Sequence, residues 1–350
     1  MKVAVQGRAN GPQRDLYDKA GIEVVEGGCR TEDEMIELIA DAEGAQVGIL
    51  PLTSRYVMEN CPNLKVVSRF GVGVDSIDLD AATELGVIVC NVPGSNTTEV
   101  ADHAVSLLLS LTRRLYDAIT ATRQGAWADN PRAMGAFAPK MQRLSGHTVG
   151  IIGFGNIGRA FTTRIRSFGV SHILAYDPYV RQLAGDLYGV QLVSLEELLQ
   201  QADFLSIHCS ATEETRRMIN ADTLKLMKPT ALLVNTARGS IVDGDALADA
   251  LESGSIEAAA MDVTETEPIP SDHRLLALPN CYITPHLAAM SQVFIAETAV
   301  MQAENIIRVL SGEKPHGLAN PEVIKTVAVM RETNPGRWQG FPDFSTALQI

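Results

Sequence analysis

Charged and titratable residues follow three apolar runs in the second half of this 350-residue chain. Arg238 comes just after the run that ends at Asn235. Asp262 and Glu267 lie at and beyond the end of a second run, and His286 follows a third. If these runs are parallel strands of one sheet, the residues meet at its carboxyl edge, where open α/β sheets bind ligands. The pattern therefore predicts one site that combines a cation, carboxylates and an imidazole.

These residue types are suited to hydride transfer onto the keto carbon of a 2-keto acid. The Arg238 guanidinium can grip a substrate carboxylate through two hydrogen bonds. Hydride transfer leaves an alkoxide that needs a proton, and a histidine such as His286 titrates close enough to neutral pH to supply one. A carboxylate beside the ring, such as Glu267, would orient it and favour its protonated form.

Each of these residues also has a purely structural interpretation. Arg238 is suited to an ion pair between domains, and Glu267, directly before Pro268, is suited to an exposed turn. His286, directly after Pro285, is typical of a structural histidine when it is considered alone. Their joint arrangement after neighbouring runs favours the catalytic interpretation.

A glycine-rich turn between a predicted strand and a predicted helix indicates a dinucleotide site. Gly153, Gly155 and Gly158 have the GxGxxG spacing, which permits a tight turn, a close approach of the pyrophosphate and packing of the helix on the strand. Asp177 ends the next run, where a carboxylate can bind the ribose diol and repel a 2′-phosphate. NAD is therefore predicted as the cofactor, although Asp177 is alternatively a turn residue before Pro178.

Composition and missing motifs exclude several classes of function. The formal net charge of −13 opposes attraction to polyphosphates, so nucleic acid is not expected as a partner. No apolar run reaches the roughly 18 residues of a membrane span, so no membrane partner is expected. Templates for a P-loop, an HExxH zinc site and a GxSxG elbow are missing, which argues against phosphoryl transfer, zinc hydrolysis and serine esterase chemistry.

The N-terminus and the cysteines indicate the compartment. Residues 1–7 lack the apolar stretch and cleavage site of a secretory signal, so a cytoplasmic protein is expected. The five cysteines are widely scattered and have no CxxC spacing, which predicts reduced thiols and no metal site.

The length exceeds the usual size of one core and predicts two domains. The first series of apolar runs predicts strands at 3–5, 22–25, 47–50, 66–70 and 87–90. The second series predicts strands at 148–152, 173–176, 204–208, 231–235, 258–263 and 282–284. Helical periodicity between the runs indicates parallel sheets covered by helices. One long helix should follow 96–99 and another should run from about 291 to 310, with a long loop at 125–143.

Several motifs together resemble the D-isomer-specific 2-hydroxyacid dehydrogenase family. They are the segment 68–78 (SRFGVGVDSID), the GFGNIG turn, Tyr176-Asp177-Pro178, the NTARG segment at 235–239, Glu267-Pro268 and Thr284-Pro285-His286. The similarity runs from about 47 to 321. It implies two Rossmann-like or flavodoxin-like doubly wound parallel-sheet domains with an interdomain cleft.

The resemblance also implies the domain organisation and the assembly. Residues 1–97 with 293–350 would form a discontinuous substrate-binding domain, and 98–292 would form the NAD-binding Rossmann domain. The implied assembly is a homodimer built around the long helix after residue 97 and the loop that follows it.

Site residues follow from the same resemblance. The implied catalytic set is Arg238, Glu267 and His286. Substrate contacts are implied for Gly71, Val72, Gly73 and Arg238, with the backbone amides of the first three receiving the substrate carboxylate. Cofactor contacts are implied for Val72, Gly153, Gly155, Asn156, Ile157, Gly158, Asp177, Cys209, Thr236, Ala237, Asp262 and His286, with Asp262 beside the nicotinamide.

The resemblance leaves the substrate open among glyoxylate or hydroxypyruvate, 3-phosphoglycerate and larger 2-keto acids. Phosphoglycerate enzymes carry an arginine shortly after the third strand, where this chain has Pro51-Leu52, with Arg55 farther on. The family's His-x-Pro is replaced by His208-Cys209-Ser210, which suggests a less rigid loop. One branch of the family consists of corepressors, so an NAD(H)-sensing corepressor or scaffold of the C-terminal-binding-protein type is the alternative function.

The segment 325–350 has no counterpart in the family resemblance. It contains Trp338, Phe341 and Phe344 among glycines and prolines. These aromatic residues suggest that the segment packs on the partner subunit of the dimer.

Overall fold

The computed structural model describes residues 1–130, 132–333 and 336–339. The described chain divides into two compact units. The first consists of residues 1–96 and the described residues from Ser291 onwards, and the second is Thr97–Met290.

The first unit contains a five-stranded parallel sheet with the order β2-β1-β3-β4-β5. Its strands are β1 (Lys2–Gln6), β2 (Glu23–Gly27), β3 (Gly44–Val47), β4 (Val66–Arg69) and β5 (Ile88–Cys90). Its α-helices are α1 (Gly11–Lys19), α2 (Glu32–Ile39), α3 (Arg55–Glu59), α4 (Leu79–Glu84), α14 (Gln292–Leu310) and α15 (Val323–Thr333). This strand order is the flavodoxin-like doubly wound arrangement, in which helices cover both faces of the sheet.

The third strand begins earlier than predicted. It covers Gly44–Val47, whereas the apolar run predicted 47–50, and that prediction was wrong. The polar Gln46 concealed the strand in the sequence, yet its side chain is buried and satisfied. Its Oε1 accepts a hydrogen bond from Gln13 Nε2 at 2.7 Å, and its Nε2 donates to Gln302 Oε1 at 2.9 Å. A buried amide with such partners is compatible with the interior of a sheet.

Trp338 belongs to the core of the first unit. The side chain is 1% exposed, and its indole Nε1 donates a hydrogen bond to Gly86 O at 2.9 Å. The suggestion that Trp338 packs on a partner subunit was therefore wrong, because its own unit covers it. Phe341 and Phe344 lie outside the described residues.

The second unit contains a seven-stranded parallel sheet with the order β12-β11-β10-β9-β6-β7-β8. Its strands are β6 (Thr148–Ile152), β7 (His172–Tyr176), β8 (Gln191–Leu192), β9 (Phe204–Ile207), β10 (Leu232–Asn235), β11 (Ala258–Met261) and β12 (Cys281–Ile283). Six of them overlap predicted strands. β8 was missed because two residues at the edge of a sheet are too short to show periodicity.

Helices cover this second sheet. The α-helices are α5 (Thr97–Arg113), α6 (Leu115–Arg123), α7 (Ala126–Asp129), α8 (Asn156–Ile165), α9 (Gln182–Asp186), α10 (Leu195–Gln201), α11 (Ala221–Leu224), α12 (Gly244–Ser253) and α13 (Arg274–Ala277). The buried face of α5 includes Val100, Ala104, Leu108 and Leu111, as its apolar spacing predicts. The segment predicted as a loop contains α7 and a 3₁₀-helix at Ala133–Lys140.

The predicted fold class of two doubly wound parallel α/β sheets is confirmed. In the described part of the chain, no helix is both long and apolar enough to cross a membrane. Within the same residues, no group of three or more His, Cys, Asp or Glu side chains is arranged to hold a metal ion.

Candidate active site

The ends of three adjacent strands carry the predicted catalytic residues. β10, β11 and β12 are parallel neighbours, with Asn235 paired to Met261 and Met261 paired to Ile283. Because each strand ends at nearly the same level, the segments that bear Arg238, Glu267 and His286 all leave the same edge of the sheet.

Glu267 and His286 are in direct contact. Their Oε2 and Nδ1 atoms are 2.6 Å apart, and the side chains are 36% and 39% exposed. Because a carboxylate can only accept, Nδ1 carries the proton in this contact and donates it. The other ring nitrogen, Nε2, is therefore the one available to exchange a proton with a substrate.

Glu267 is held in its ionised form. Burial alone would raise the pKa of its carboxyl group. Hydrogen bonds from His286 and from the Thr264 N–H, at 3.0 Å, together with the charge of Arg238, outweigh burial and lower this pKa below its ordinary value. The carboxylate therefore remains a negative partner for the imidazole through the neutral pH range.

The turn that carries Arg238 is fixed by buried Asn235. The Asn235 amide donates to Arg238 O at 2.9 Å, and its Oδ1 accepts from Ala237 N at 3.0 Å. Arg238 Nη1 in turn donates to Ala237 O at 2.7 Å. At the adjacent Gly239, a Cβ would lie 2.0 Å from the Thr264 carbonyl oxygen, so only glycine lets this turn approach the segment after β11.

Asp262 anchors the segment that carries His286. Its side chain is 1% exposed, and Oδ1 accepts from Thr284 Oγ1 at 2.5 Å. The N–H groups of Leu287 and Ala288 also donate to this carboxylate, at 3.1 and 2.8 Å. The predicted position of Asp262 beside the nicotinamide stays a prediction.

The glycine-rich turn has the geometry that a dinucleotide requires. Gly153 has φ of +89°, and a Cβ there would lie 2.4 Å from Cys209 N. A Cβ at Gly158 would lie 2.2 Å from Gly153 O, whereas one at Gly155 would meet nothing within 4 Å. The open space at Gly155 leaves the backbone accessible to a pyrophosphate.

Helix α8 begins directly after this turn and places the predicted Asn156 and Ile157 in its first turn. The first N–H groups of a helix lack intrahelical acceptors and attract anions. A second observation concerns Thr236, which follows β10. Its hydroxyl oxygen is buried and has no hydrogen-bond partner among the described residues, as expected for a group whose partner is a ligand. The chain's own residues therefore fit a bound dinucleotide.

Asp177 combines a turn role with a position in the predicted cofactor site. Its Oδ2 accepts from Phe154 N at 2.8 Å, and Oδ1 accepts from Tyr179 N at 3.0 Å. Each carboxylate oxygen has a further acceptor position, so the two roles are compatible. Asp177 lines a cavity of about 410 Å³ together with Gly155 and Cys209.

This cavity is also lined by two residues that the sequence patterns did not indicate. Tyr179 donates its phenolic proton to Glu214 Oε2 at 2.6 Å. Neither belongs to a motif, and their contact joins the end of one βα unit to the loop of another. The neighbouring His208 adds no charge at neutral pH, because burial lowers its pKa to about 3.

The predicted carboxylate-binding loop in the first unit follows β4. Gly71 has φ of +106°, and Asn91 Nδ2 donates to Val72 O at 2.7 Å. Among the residues that the structure describes, none accepts a hydrogen bond from the N–H groups of Gly71, Val72 or Gly73. Successive amides of this kind suit an anion, and their contact with a substrate stays a prediction.

Comparisons with known proteins identify the family. The model for the NAD-binding domain of the D-isomer-specific 2-hydroxyacid dehydrogenases matches residues 105–288. A glyoxylate reductase of Korarchaeum cryptofilum is 41% identical over 293 residues, which cover 83% of this chain and 86% of that protein. The chain belongs to the D-isomer-specific 2-hydroxyacid dehydrogenases.

Two further similarities are informative. A D-3-phosphoglycerate dehydrogenase of Methanocaldococcus jannaschii is 39% identical over 306 residues, which cover 87% of this dehydrogenase and 56% of that longer relative. An NADPH-dependent glyoxylate/hydroxypyruvate reductase of Sinorhizobium meliloti, solved with citrate, superposes with a TM-score of 0.78 at 30% identity. That superposition covers 92% of this chain and 98% of the other.

These findings confirm the predicted family, the oxidoreductase class and NAD as the cofactor of the dehydrogenase. The candidate substrates inferred from sequence include those named for its relatives. The individual roles of Arg238, Glu267, His286 and the cofactor-site residues stay predictions.

Replacing Glu267 with glutamine should narrow the pH range of keto-acid reduction by this dehydrogenase. Reduction needs a protonated imidazole, and the variant removes the negative charge that stabilises it. We expect the alkaline fall in kcat/KM to begin at lower pH. Steady-state pH profiles measure this, with Glu265→Gln as the control because Glu265 pairs with Arg217. An unmoved alkaline limb in the Glu267 variant would contradict the assigned pairing.

Proposed function

We propose that this chain reduces unphosphorylated 2-keto acids with NADH and, in reverse, oxidises the corresponding D-2-hydroxy acids. The contact of 2.6 Å between His286 Nδ1 and Glu267 Oε2 carries the proposal. It fixes a proton on Nδ1 and leaves Nε2 available to a substrate. Arg238, which follows the adjacent strand, supplies the cation for the substrate carboxylate.

The chain's own residues divide the reaction between them. Bound NADH supplies the hydride that adds to the keto carbon. Arg238 orients the acid through charge-assisted hydrogen bonds and polarises its keto group. His286 donates the Nε2 proton to the developing alkoxide and retains the Nδ1 proton shared with Glu267. In the oxidation, the neutral ring takes the hydroxyl proton from the 2-hydroxy acid.

The loop after β3 supports a substrate without a phosphate group. Its side chains Ile49, Leu50 and Leu52 are apolar and exposed, at 38%, 63% and 51%. Arg55, the nearest arginine along the chain, is occupied by Glu84 at 2.5 Å and by Glu59 at 3.6 Å. Because the Arg55 guanidinium already pairs with two carboxylates, a substrate phosphate would have to compete with both of them for it.

Initial rates of NADH oxidation with a panel of keto acids test the proposal. The panel consists of glyoxylate, hydroxypyruvate, phenylpyruvate and 3-phosphohydroxypyruvate, each also measured with NADPH. We expect turnover of an unphosphorylated acid with NADH. A higher kcat/KM for 3-phosphohydroxypyruvate would refute the substrate class. Tight NADH binding without turnover of any acid would favour the NAD(H)-sensing corepressor or scaffold.

We further propose that the protein is a homodimer assembled through α6 and the segment after it. Helix α6 has no buried residues, and its Leu115, Tyr116 and Ile119 are 44%, 65% and 50% exposed. Trp127 in α7 is also exposed, at 59%. Large apolar side chains grouped on one surface are typical of a subunit interface.

Charged substitutions on α6 test the dimer. The variant Tyr116→Glu with Ile119→Glu places two carboxylates on the proposed interface, so we expect sedimentation velocity to report a monomer. Leu183→Glu is the control, because Leu183 is exposed on α9 of the same unit. An unchanged sedimentation coefficient in the α6 variant would rule out this surface as the interface.

A further inference from the structure

A second histidine lies behind the turn that bears His286. His103 belongs to α5, and its Nε2 is 3.2 Å from Thr284 Oγ1 and 3.5 Å from Asp262 Oδ1. Its side chain is 19% exposed, and that of Asp262 is 1% exposed. The proposed reaction makes no use of His103, although it contacts both residues that anchor the His286 turn.

The direction of these hydrogen bonds determines where the His103 proton is. The Thr284 hydroxyl has one proton, and the contact of 2.5 Å with Asp262 Oδ1 uses it, because a carboxylate can only accept. Thr284 Oγ1 must therefore accept from His103. It follows that His103 Nε2 carries a proton, which points at the threonine oxygen and towards Asp262.

Asp262 links His103 and Thr284 to the turn that bears His286. Its backbone carbonyl accepts from His286 N at 2.8 Å, while its carboxylate accepts from Leu287 N and Ala288 N. His286 has φ of +51°, a left-handed conformation that non-glycine residues adopt only when their surroundings hold them there. Here those surroundings are mainly the hydrogen bonds of Asp262.

Two carboxylates lie next to His103, one on α5 and one directly after β11. Asp102, the next residue in α5, is paired with Arg164 of α8. Asp262 is therefore the carboxylate that His103 faces from the sheet, at 3.5 Å. His103 and Thr284 both contact Oδ1 of the Asp262 carboxylate, the oxygen that also accepts from Leu287 N.

We infer that His103 is a positioning residue, which fixes Thr284 and Asp262 and thereby holds the turn that aims His286. The inference rests on the proposed function of His286. It connects a helix of the second unit to proton transfer, although His103 itself touches no reacting atom. Loss of the His103 donor should let the turn relax and move His286 away from Glu267.

The variants His103→Leu and His103→Gln separate the effect of the hydrogen-bond donor from the effect of side-chain volume. Leucine fills the space without a donor, whereas the glutamine amide can still donate to Thr284 Oγ1. We expect the leucine variant to lose about 10- to 100-fold in kcat, the usual effect of a misplaced catalytic group, while glutamine restores most of it. NADH affinity should change much less than kcat in both. His147→Leu is the matched control, because His147 lies directly before β6 and packs beside Phe204.

The pH profile separates positioning from a general loss of stability. If His286 leaves Glu267, the alkaline limb of keto-acid reduction moves to lower pH in His103→Leu, as in Glu267→Gln. A destabilised protein would show a lower Tm with an unmoved limb, and that result would overturn the inference. Thr284→Val interrupts the same chain of contacts, so its kcat loss should not add to that of His103→Leu. If His103→Leu fails to fold, the Thr284→Val profile alone decides.

The two proposals fail in different ways. Full activity of His103→Leu beside an inactive His286→Ala would refute the positioning role and leave the proposed function intact. Full activity of both variants would refute the proposed function itself.

Discussion

The variant His286→Ala should still bind NADH and lose about 10² to 10⁴ in kcat for keto-acid reduction. This is the usual contribution of a positioned general acid, because without it the alkoxide must take its proton from water. The loss should appear in kcat more than in KM, since proton donation stabilises the transition state and contributes little to ground-state binding. Steady-state initial rates over a range of keto-acid concentrations measure kcat and KM, and an NADH fluorescence titration measures cofactor binding.

A second histidine–carboxylate pair provides a matched control. His316 Nε2 lies 3.0 Å from Glu304 Oε2, with side-chain exposures of 42% and 40% that resemble those of the His286 pair. His316→Ala therefore removes the same kind of contact from the first unit, and its kcat should be unchanged. Near-normal turnover by His286→Ala would refute the general-acid role, whereas an equal loss in both variants would show that the effect is structural.

The sequence predicted the features that depend on neighbouring residues. Gly153, Gly155 and Gly158 are close in sequence, and their geometry follows from one turn between a strand and a helix. Asp177 was predicted from its distance along the next unit. The approach of Glu267 and His286 was also predicted, because parallel strands that end at one edge must bring their following residues together.

Features that depend on contacts across the fold were missed. His103 and Thr284 are separated by 181 positions, and only the packing of α5 on the sheet brings them together. The start of β3 was missed because Gln46 is polar, and the hydrogen-bond partners that allow its burial lie far away in the sequence. Trp338 shows the same limit, since its aromatic ring suggested an interface whereas Gly86 and the surrounding core bury it.

Replacing Arg238 should lower kcat/KM for the keto acid, because it removes the cation that binds the substrate carboxylate. Two charge-assisted hydrogen bonds, each worth about 1.5–3 kcal/mol, predict that Arg238→Gln loses about 10² to 10⁴ in kcat/KM for the keto acid. Arg238→Lys should recover part of the loss, because an ammonium supplies charge without the two-pronged geometry. Initial rates over a range of keto-acid concentrations measure both variants.

Three comparisons distinguish substrate recognition from a structural ion pair of Arg238. The affinity for NADH should change little in Arg238→Gln, because the proposed contact is with the acid. The control Arg274→Gln removes an exposed guanidinium that pairs with Asp249 and Glu252 in the same unit, and it should leave kcat/KM unchanged. A structural role would lower Tm and affect acids and their methyl esters equally.

The ester comparison is decisive because it changes the substrate and leaves the fold unaltered. If Arg238 recognises the carboxylate, wild type should prefer a 2-keto acid to its methyl ester by about 10²-fold or more, and this preference should collapse in Arg238→Gln. Added guanidinium should restore part of the activity towards the acid alone, since it replaces the missing charge at the same position. A preference that survives the substitution would instead assign carboxylate recognition elsewhere, with the free amides of Gly71, Val72 and Gly73 as the next residues to test.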